Sequence, residues 1–285
     1  MPKPSARKNT YIMDAENAAE IARLSRLHRL ITSSKGGLLP DIPHLSSFHT
    51  ILDIASGPGD WVLDMASCYP DIQVTGIDIS PLLTEYATVR ALEQGLTNAH
   101  FCEMDAMQPL AFTDHSFDLV HARHIYTFML AGTWLHLMRE CVRVARPGGI
   151  ICLTEAELTL SNSATLERYT HLIAQALQRA DMSFSPGGHY IGITPWLGRF
   201  LRDAGCCNIR RVASVLDYSS GEDFYSQGYQ YVAAGCKLIQ PFLLEMEVAE
   251  EQELDRMYHL LQEEMLSPEF CGLYVFITAW GEIPE

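Results

Sequence analysis

A chain of 285 residues, 48% hydrophobic and 19% charged, is long enough for one large α/β domain with a cap and too apolar for a disordered protein. Its formal net charge of −15 argues against broad nucleic-acid binding, because an acidic surface repels phosphate backbones. No apolar window approaches the ~18 residues of a membrane-spanning helix, so no membrane association is expected.

The first residues, "MPKPSARKNTYIMDAEN", read as a polar arm without the apolar stretch of a signal peptide, and a cytoplasmic location is expected. Asp14 is placed to cap a helix carrying Ile21, Leu24, Leu27 and Ile31 at helical spacing, which "SSKGGLLPDIP" breaks. "HTILDIA" is a short apolar strand ending in a glycine turn, and Asp60 to Cys68 resumes a helical pattern. "IQVTGIDIS" is a second strand. Ser80-Pro81 then opens a helix, serine as cap and proline at the first helical position, and Gly95 stops it. "AHFCEMD" and "FDLVHAR" are the third and fourth strands, Thr133 to Ala145 is a helix closed by "RPGG", and "IICLTEAE" is the fifth strand. Strands alternating with helices of this length make βαβ units around a parallel sheet.

Beyond residue 158 the pattern changes. A helix over Ala164 to Ala180 precedes the Gly-, Pro- and aromatic-rich "DMSFSPGGHYIGITPW". A helix (Pro195 to Ala204), a strand (Ile209 to Leu216), a long helical stretch from Phe224 to Leu266 broken at Pro241, and a buried strand in "FCGLYVFITAWG" follow. The arginines between Arg199 and Arg211 read as a solvated helix face rather than a basic patch. The eight cysteines include no C-x-x-C and no zinc spacing, so no metal site is expected and free cysteines in a reducing compartment are. The expected organisation is an N-terminal arm and helices over 1–49, a ligand-binding core over 50–158, and a remainder over 159–285 that completes the sheet and adds helical cap insertions.

In an open parallel sheet, ligands bind beyond the carboxyl ends of the strands, so the turn after the first strand opens the site. The dinucleotide fingerprint needs a third glycine three residues after the second, and Val62 stands there; the phosphate-binding loop G-x-x-x-x-G-K-[ST] is absent. What stands there is Asp53-x-Ala55-x-Gly57-x-Gly59. It resembles the nucleotide loop of class I S-adenosylmethionine-dependent methyltransferases, an acidic residue followed by alternate glycines. Alanine replaces the first glycine, which predicts that this position need not have a positive φ.

Other segments extend the resemblance across about residues 50 to 157. Asp78 ends the second strand, where a carboxylate can accept both ribose hydroxyls; an N-capping aspartate is the other reading, with Ser80 already in that role. "EMDAMQPLAF" resembles the family's third-strand end, which implies Asp105 on the adenine amino group with Met104 and Ala106 beside the ring. "SFDLVHARHIYTFM" and "RVARPGGIICLTE" resemble its fourth strand and its turn into the fifth, and "NTYIMDAENAAEIARL" its pre-core segment, which implies Tyr11 over the methionine end. The resemblance implies a Rossmann-like seven-stranded α/β sheet, mostly parallel with an antiparallel last strand. It implies S-adenosylmethionine as cofactor, held by Tyr11, Asp53, Ala55, Gly57, Gly59, Asp78, Ile79, Met104, Asp105, Ala106 and Arg123.

Methyl transfer from a sulfonium is an in-line displacement, so positioning and water exclusion dominate, with a general base where the nucleophile is a hydroxyl or amide. His124, His121 and Glu155 are the catalytic candidates. Strand alternation sets His121 and Arg123 on one side and His124 on the other, if the strand extends that far. A surface or packed role is the other reading of His124, and a capping or solvated role that of Glu155. The aromatics His189, Tyr190, Trp196, Phe224, Tyr225, Tyr229 and Tyr231 suit a cap over a small apolar or aromatic acceptor, methylated on O, N or C, with "SPGGHYIG" as a lid. No Asn/Asp-Pro-Pro-Tyr motif follows the fourth strand, against the amine-methylating enzymes of DNA and of protein glutamine. A monomer or homodimer is expected. A non-catalytic S-adenosylmethionine sensor or partner subunit stays open beside the enzyme, because the cofactor loop serves both.

Overall fold

In a computed structural model that describes residues 10–39, 41–42 and 45–285, one mixed sheet carries the chain. Its first part is parallel: β1 (Thr50–Ile54), β2 (Gln73–Asp78), β3 (Ala99–Glu103), β4 (Phe117–Arg123) and β5 (Ala145–Ala156). The last long strand, β8 (Gly272–Glu282), runs antiparallel between β5 and β7 (Cys207–Asp217). The spatial order is β3-β2-β1-β4-β5-β8, with β7 beyond β8. A two-residue strand, β6 (Leu160–Ser161), pairs with the start of β8 and brings the total to eight, one more than the sequence predicts. The extra strand is too short to leave a periodic signal.

Both faces of the sheet are covered. Ile51 and Leu119 face one core, with Trp61, Leu63 and Met65 of α2 (Asp60–Cys68) and Ala91 of α3 (Pro81–Glu93). Leu52, Ile54 and Val120 face the other. That second core takes α1 (Ala18–Lys35), α4 (Trp134–Val144), α5 (Ala164–Arg179) and α6 (Leu197–Asp203). Single-residue alternation between two cores is what a strand buried on both faces requires. The helical stretch after Phe224 is three helices: α7 (Tyr225–Leu238), α8 (Gln240–Glu245) and α9 (Glu251–Met265), with Pro241 in the first turn of α8. Proline is tolerated there because the first turn's N–H groups have no intrahelical partner.

Local chemistry matches the sequence closely at α3, where Ser80 Oγ accepts the Leu83 N–H at 3.2 Å. It differs at α1. Asn17, not Asp14, caps the helix, its Oδ1 accepting the Ala19 N–H at 2.9 Å, while Asp14 accepts the Glu16 N–H in the turn before. Asparagine and aspartate compete equally well for a cap, so the tertiary position of the arm decides. Among the described residues no helix is long and apolar enough to cross a membrane, and no group of three or more His, Cys, Asp or Glu is set to hold a metal ion. All eight cysteines are free.

Candidate active site

β1 is flanked by β2 on one side and β4 on the other, so the strand order reverses at its carboxyl end. A crevice opens there because the connections from adjacent strands leave in opposite directions. The chain after β1 enters it as a tight loop. Ser56 N–H donates to Ile77 O at 2.8 Å, and Gly59 N–H returns to Ser56 O at 3.1 Å. Ala55 has φ +56°, Gly57 +55° and Gly59 +83°. The alanine does not spare this position a positive φ, as the sequence suggests it could: Ala55 occupies the left-handed region. The strain of order 1–2 kcal/mol is borne by the loop's hydrogen bonds.

The two glycines do different work. A Cβ on Gly59 would lie 2.7 Å from Ala87 Cβ and 2.8 Å from the Phe101 ring, so this glycine serves helix–sheet packing. A Cβ on Gly57 would meet nothing nearer than Leu24 Cδ1 at 3.9 Å; it would project into the open cavity. Gly57 lines that cavity and Gly59 does not.

Asp78, at the end of β2, accepts the Gly57 N–H on Oδ2 and the Ser80 N–H on Oδ1, both at 2.9 Å. Burial raises its pKa above the ordinary carboxyl value, opposed by those N–H groups and reinforced by the charge of Asp53. Ile79, Met104, Asp105 and Ala106 line the same end. Asp105 Oδ1 accepts the Met107 N–H at 2.9 Å, which fixes that turn.

Towards the middle of the cavity stand Tyr11, Asp53, Arg123 and His124. The arm is tied across it: Ile12 N–H donates to Thr127 O at 3.1 Å and Thr10 Oγ1 to Phe128 O at 2.8 Å. The Tyr11 hydroxyl donates to Glu20 at 2.6 Å, and Glu20 grips Arg23 through two bonds of 2.7 Å. That ion pair is buried, and the Arg23 guanidinium lies 5.0 Å over the Tyr231 ring. Arg123 donates to His28 Nδ1 at 2.9 Å, and His28 Nε2–H donates to Asp64 at 2.7 Å. This tautomer is the neutral one, in keeping with a His28 pKa lowered first by burial.

β4 ends at Arg123, so His124 escapes strand alternation. It takes φ +58°, its N–H donating to Thr154 O at 3.0 Å, and the imidazole lines the cavity. Its Nε2 is buried with no hydrogen-bond partner. Burial, then the charges of Arg123 and Arg23, lower its pKa to about 3, so the ring is neutral at physiological pH. Tyr126, Tyr274 and Phe276 surround it at 5.7–6.2 Å between ring centroids.

The other two catalytic candidates lie outside the cavity lining. His121 is 1% exposed and bonds to Asp53 from behind. Glu155 is fully buried, and its Oε1 accepts the Ile125 N–H at 2.9 Å, bracing the turn after His124. Burial pushes its carboxyl well above the usual range, against the pull of the Ile125 and Tyr126 N–H groups. The predicted cap also shifts. Tyr231 lines the cavity, but Tyr225 donates to Met265 O instead, and Trp196 stacks among Phe184 and Phe200. "SPGGHYIG" is not a lid over the cavity: Glu157 accepts the Gly192 and Thr194 N–H groups and pins the segment away from it. The enclosure comes instead from the arm, α1, α7 and Tyr274 of β8. None of these was legible from local periodicity.

The two ends differ in charge. Asp53, Asp60, Asp78 and Asp105 line the end at the Gly57 loop, whereas no lining residue from Leu158 onward is charged and the Arg23 guanidinium beside Tyr231 is paired with Glu20. That second part is aliphatic, with tyrosines and threonines as its polar tips. Tyr126, Tyr231 and Tyr274 gather there, with the Tyr231 and Tyr274 ring centroids 6.0 Å apart.

Comparison with known proteins agrees with this geometry. Residues 51–149 match the family described as a methyltransferase domain. A methyltransferase of Strobilurus tenacellus is 27% identical over 55% of this chain and 53% of its own length. The 27-O-demethylrifamycin SV methyltransferase of Amycolatopsis mediterranei is 34% identical over 47% of each. The chain spans about half the length of the curated relatives it matches. A phosphoethanolamine N-methyltransferase of Haemonchus contortus, solved with S-adenosylhomocysteine and phosphomonomethylethanolamine, shares the fold. Its TM-score is 0.59 at 14% identity, covering 100% of this chain and 62% of that one.

Proposed function

We propose that this chain, whose residues 51–149 match a methyltransferase domain, is an S-adenosylmethionine-dependent methyltransferase of class I that methylates an uncharged small molecule with an apolar or aromatic body. One observation carries the reading: a single cavity joins the Gly57–Asp78–Asp105 end to an aromatic end whose walls from Leu158 onward carry no charge and whose Arg23 is neutralised by Glu20.

The cofactor-side residues fit S-adenosylmethionine. Its ammonium and sulfonium are cationic, and four aspartates line that end. It has no phosphate, and the loop lacks the G-x-x-x-x-G-K-[ST] motif that binds one. The open space beside Gly57 is the cradle that a side chain would fill. We assign Asp78 to the ribose, Asp105, Met104 and Ala106 to the adenine, and Tyr11, Asp53 and Arg123 to the methionine end. When bound, the cofactor supplies an electrophilic methyl group. We assign His124 to orienting the nucleophile, because its imidazole lines the cavity and its Nε2 has no hydrogen-bond partner in the protein. A ring with a pKa of about 3 is a poor proton store, so His124 orients the nucleophile rather than carrying its proton away. The aliphatic walls exclude water from the line of transfer. In this scheme residues 50–158 hold the cofactor, 159–285 form most of the acceptor end, and Thr10 to His28 of the N-terminal segment close over both.

The test is conversion of S-adenosylmethionine to S-adenosylhomocysteine with matched acceptor panels. Neutral phenols and hydroxylated apolar compounds are expected to turn over, and phosphorylated or cationic ones of similar size are not. Tyr231→Ala is expected to raise the acceptor KM at least about tenfold, the scale of a lost aromatic contact in a pocket, while Tyr225→Ala leaves it within about twofold. Turnover of charged acceptors alone overturns the proposed class.

Asp78→Ala is expected to weaken S-adenosylmethionine binding by about 1.5–3 kcal/mol, the worth of hydrogen bonds to a charged group. It also lowers the melting temperature, because the Gly57 and Ser80 N–H groups lose their acceptor. Calorimetry and a thermal melt read the two effects separately, and unchanged affinity removes Asp78 from the site.

A further inference from the structure

Parallel pairing of β1 with β4 sets Asp53 directly beside His121 on the same face of the sheet. Asp53 lines the cavity; His121 does not, and lies behind it with 1% of its surface exposed. The imidazole Nδ1–H donates to Asp53 Oδ1 at 2.7 Å, the direction an ionised carboxylate imposes because it can only accept. Trp61, from the first turn of α2, lies flat on the other surface of the ring, with centroids 3.9 Å apart and planes 11° from parallel. The stack sets the plane of the imidazole and the hydrogen bond sets its rotation within that plane. Among the described residues, His121 is the side chain that bonds to the Asp53 carboxylate.

Burial lowers the His121 pKa, and the charges of Arg123 and Lys35 act in the same direction against the pull of Asp53. A neutral imidazole orients Asp53 without cancelling its charge. A lysine or arginine in that place would tie the carboxylate down as an ion pair and leave less of its field for a ligand.

We propose that His121 is a positioning residue: held by Trp61, it aims the Asp53 carboxylate into the cavity to receive the ammonium group of the cofactor's amino-acid end. The inference rests on the S-adenosylmethionine reading of the site. It explains why a buried histidine faces the first acidic residue of the cofactor loop rather than the reacting atoms.

The experiment is calorimetric titration of the full chain with two ligands. S-adenosylhomocysteine carries the amino-acid end; 5′-methylthioadenosine shares the nucleoside and thioether but lacks it. His121→Phe keeps a flat ring against Trp61 and removes the donor. It is expected to weaken S-adenosylhomocysteine about tenfold or more and leave 5′-methylthioadenosine within about twofold. His121→Asn keeps an N–H donor and is expected to retain S-adenosylhomocysteine within about threefold, even where the phenylalanine variant folds poorly. In an Asp53→Asn background, His121→Phe is expected to add nothing further, the non-additivity of residues acting as one unit. Unchanged S-adenosylhomocysteine affinity in His121→Phe overturns the proposal, and so does an equal loss for both ligands, which marks a general structural role. A wild-type chain that binds neither ligand overturns the cofactor reading itself, and the proposal with it.

Discussion

Gly57→Val is expected to weaken S-adenosylhomocysteine binding more than about 100-fold, or ~2.8 kcal/mol, while the chain still folds. The added side chain projects into the cavity from a backbone that lines it, so ligand and valine compete for one space. A β-branched residue at φ +55° also costs about 1–2 kcal/mol of stability, a fraction of the 5–15 kcal/mol typical of a domain. Gly59 supplies the contrast. A side chain there strikes Ala87 and Phe101, so Gly59→Val damages folding before binding. Calorimetry and circular dichroism on the Gly57 variant make the check. Affinity within threefold of the wild type would make the loop a structural turn, and the cofactor reading would lose its main support.

Glu20→Ala is expected to destabilise the chain by about 3–5 kcal/mol, because it strands the buried guanidinium of Arg23 without its counter-charge. Replacing the pair together, Glu20→Leu with Arg23→Met, is expected to recover most of that loss, since burying apolar groups avoids desolvating two ions. Urea denaturation of the two variants decides it. A loss below about 1 kcal/mol for Glu20→Ala would mean that water reaches Arg23, and that the arm and α7 pack more loosely against α1 than the burial of this pair indicates.

The parts of the site that could be read in the sequence are those fixed by short-range chemistry. The loop from Asp53 to Gly59, Asp78 at a strand end and Ser80-Pro81 at a helix start each follow from neighbours within a few residues. The fold followed for the same reason, since strands and helices alternate with strong periods through residue 156. The rest depends on packing between distant segments. Tyr231 faces the cavity and Tyr225 does not because α7 lies against α1, a contact between residues some 200 positions apart that no local pattern encodes. His121 and His124 are three residues apart, and alternation alone misjudges them. The strand stops at Arg123, and a left-handed residue then turns His124 into the cavity while His121 stays behind Asp53. In the sequence Glu155 and Glu157 read as acids that bind an acceptor, cap a helix or face solvent, yet one braces the turn after His124 and the other anchors the Gly192 segment.

The aspartates at the Gly57 end have a consequence for the direction of traffic under the proposed function. Their field favours a cationic ligand over a neutral one of the same outline. Methyl transfer turns a sulfonium into an uncharged thioether, so the proposed reaction would discharge the very group that the carboxylates attract. The spent cofactor would then sit in a site tuned to its predecessor, and exchange for a fresh charged molecule would run electrostatically downhill with each turnover.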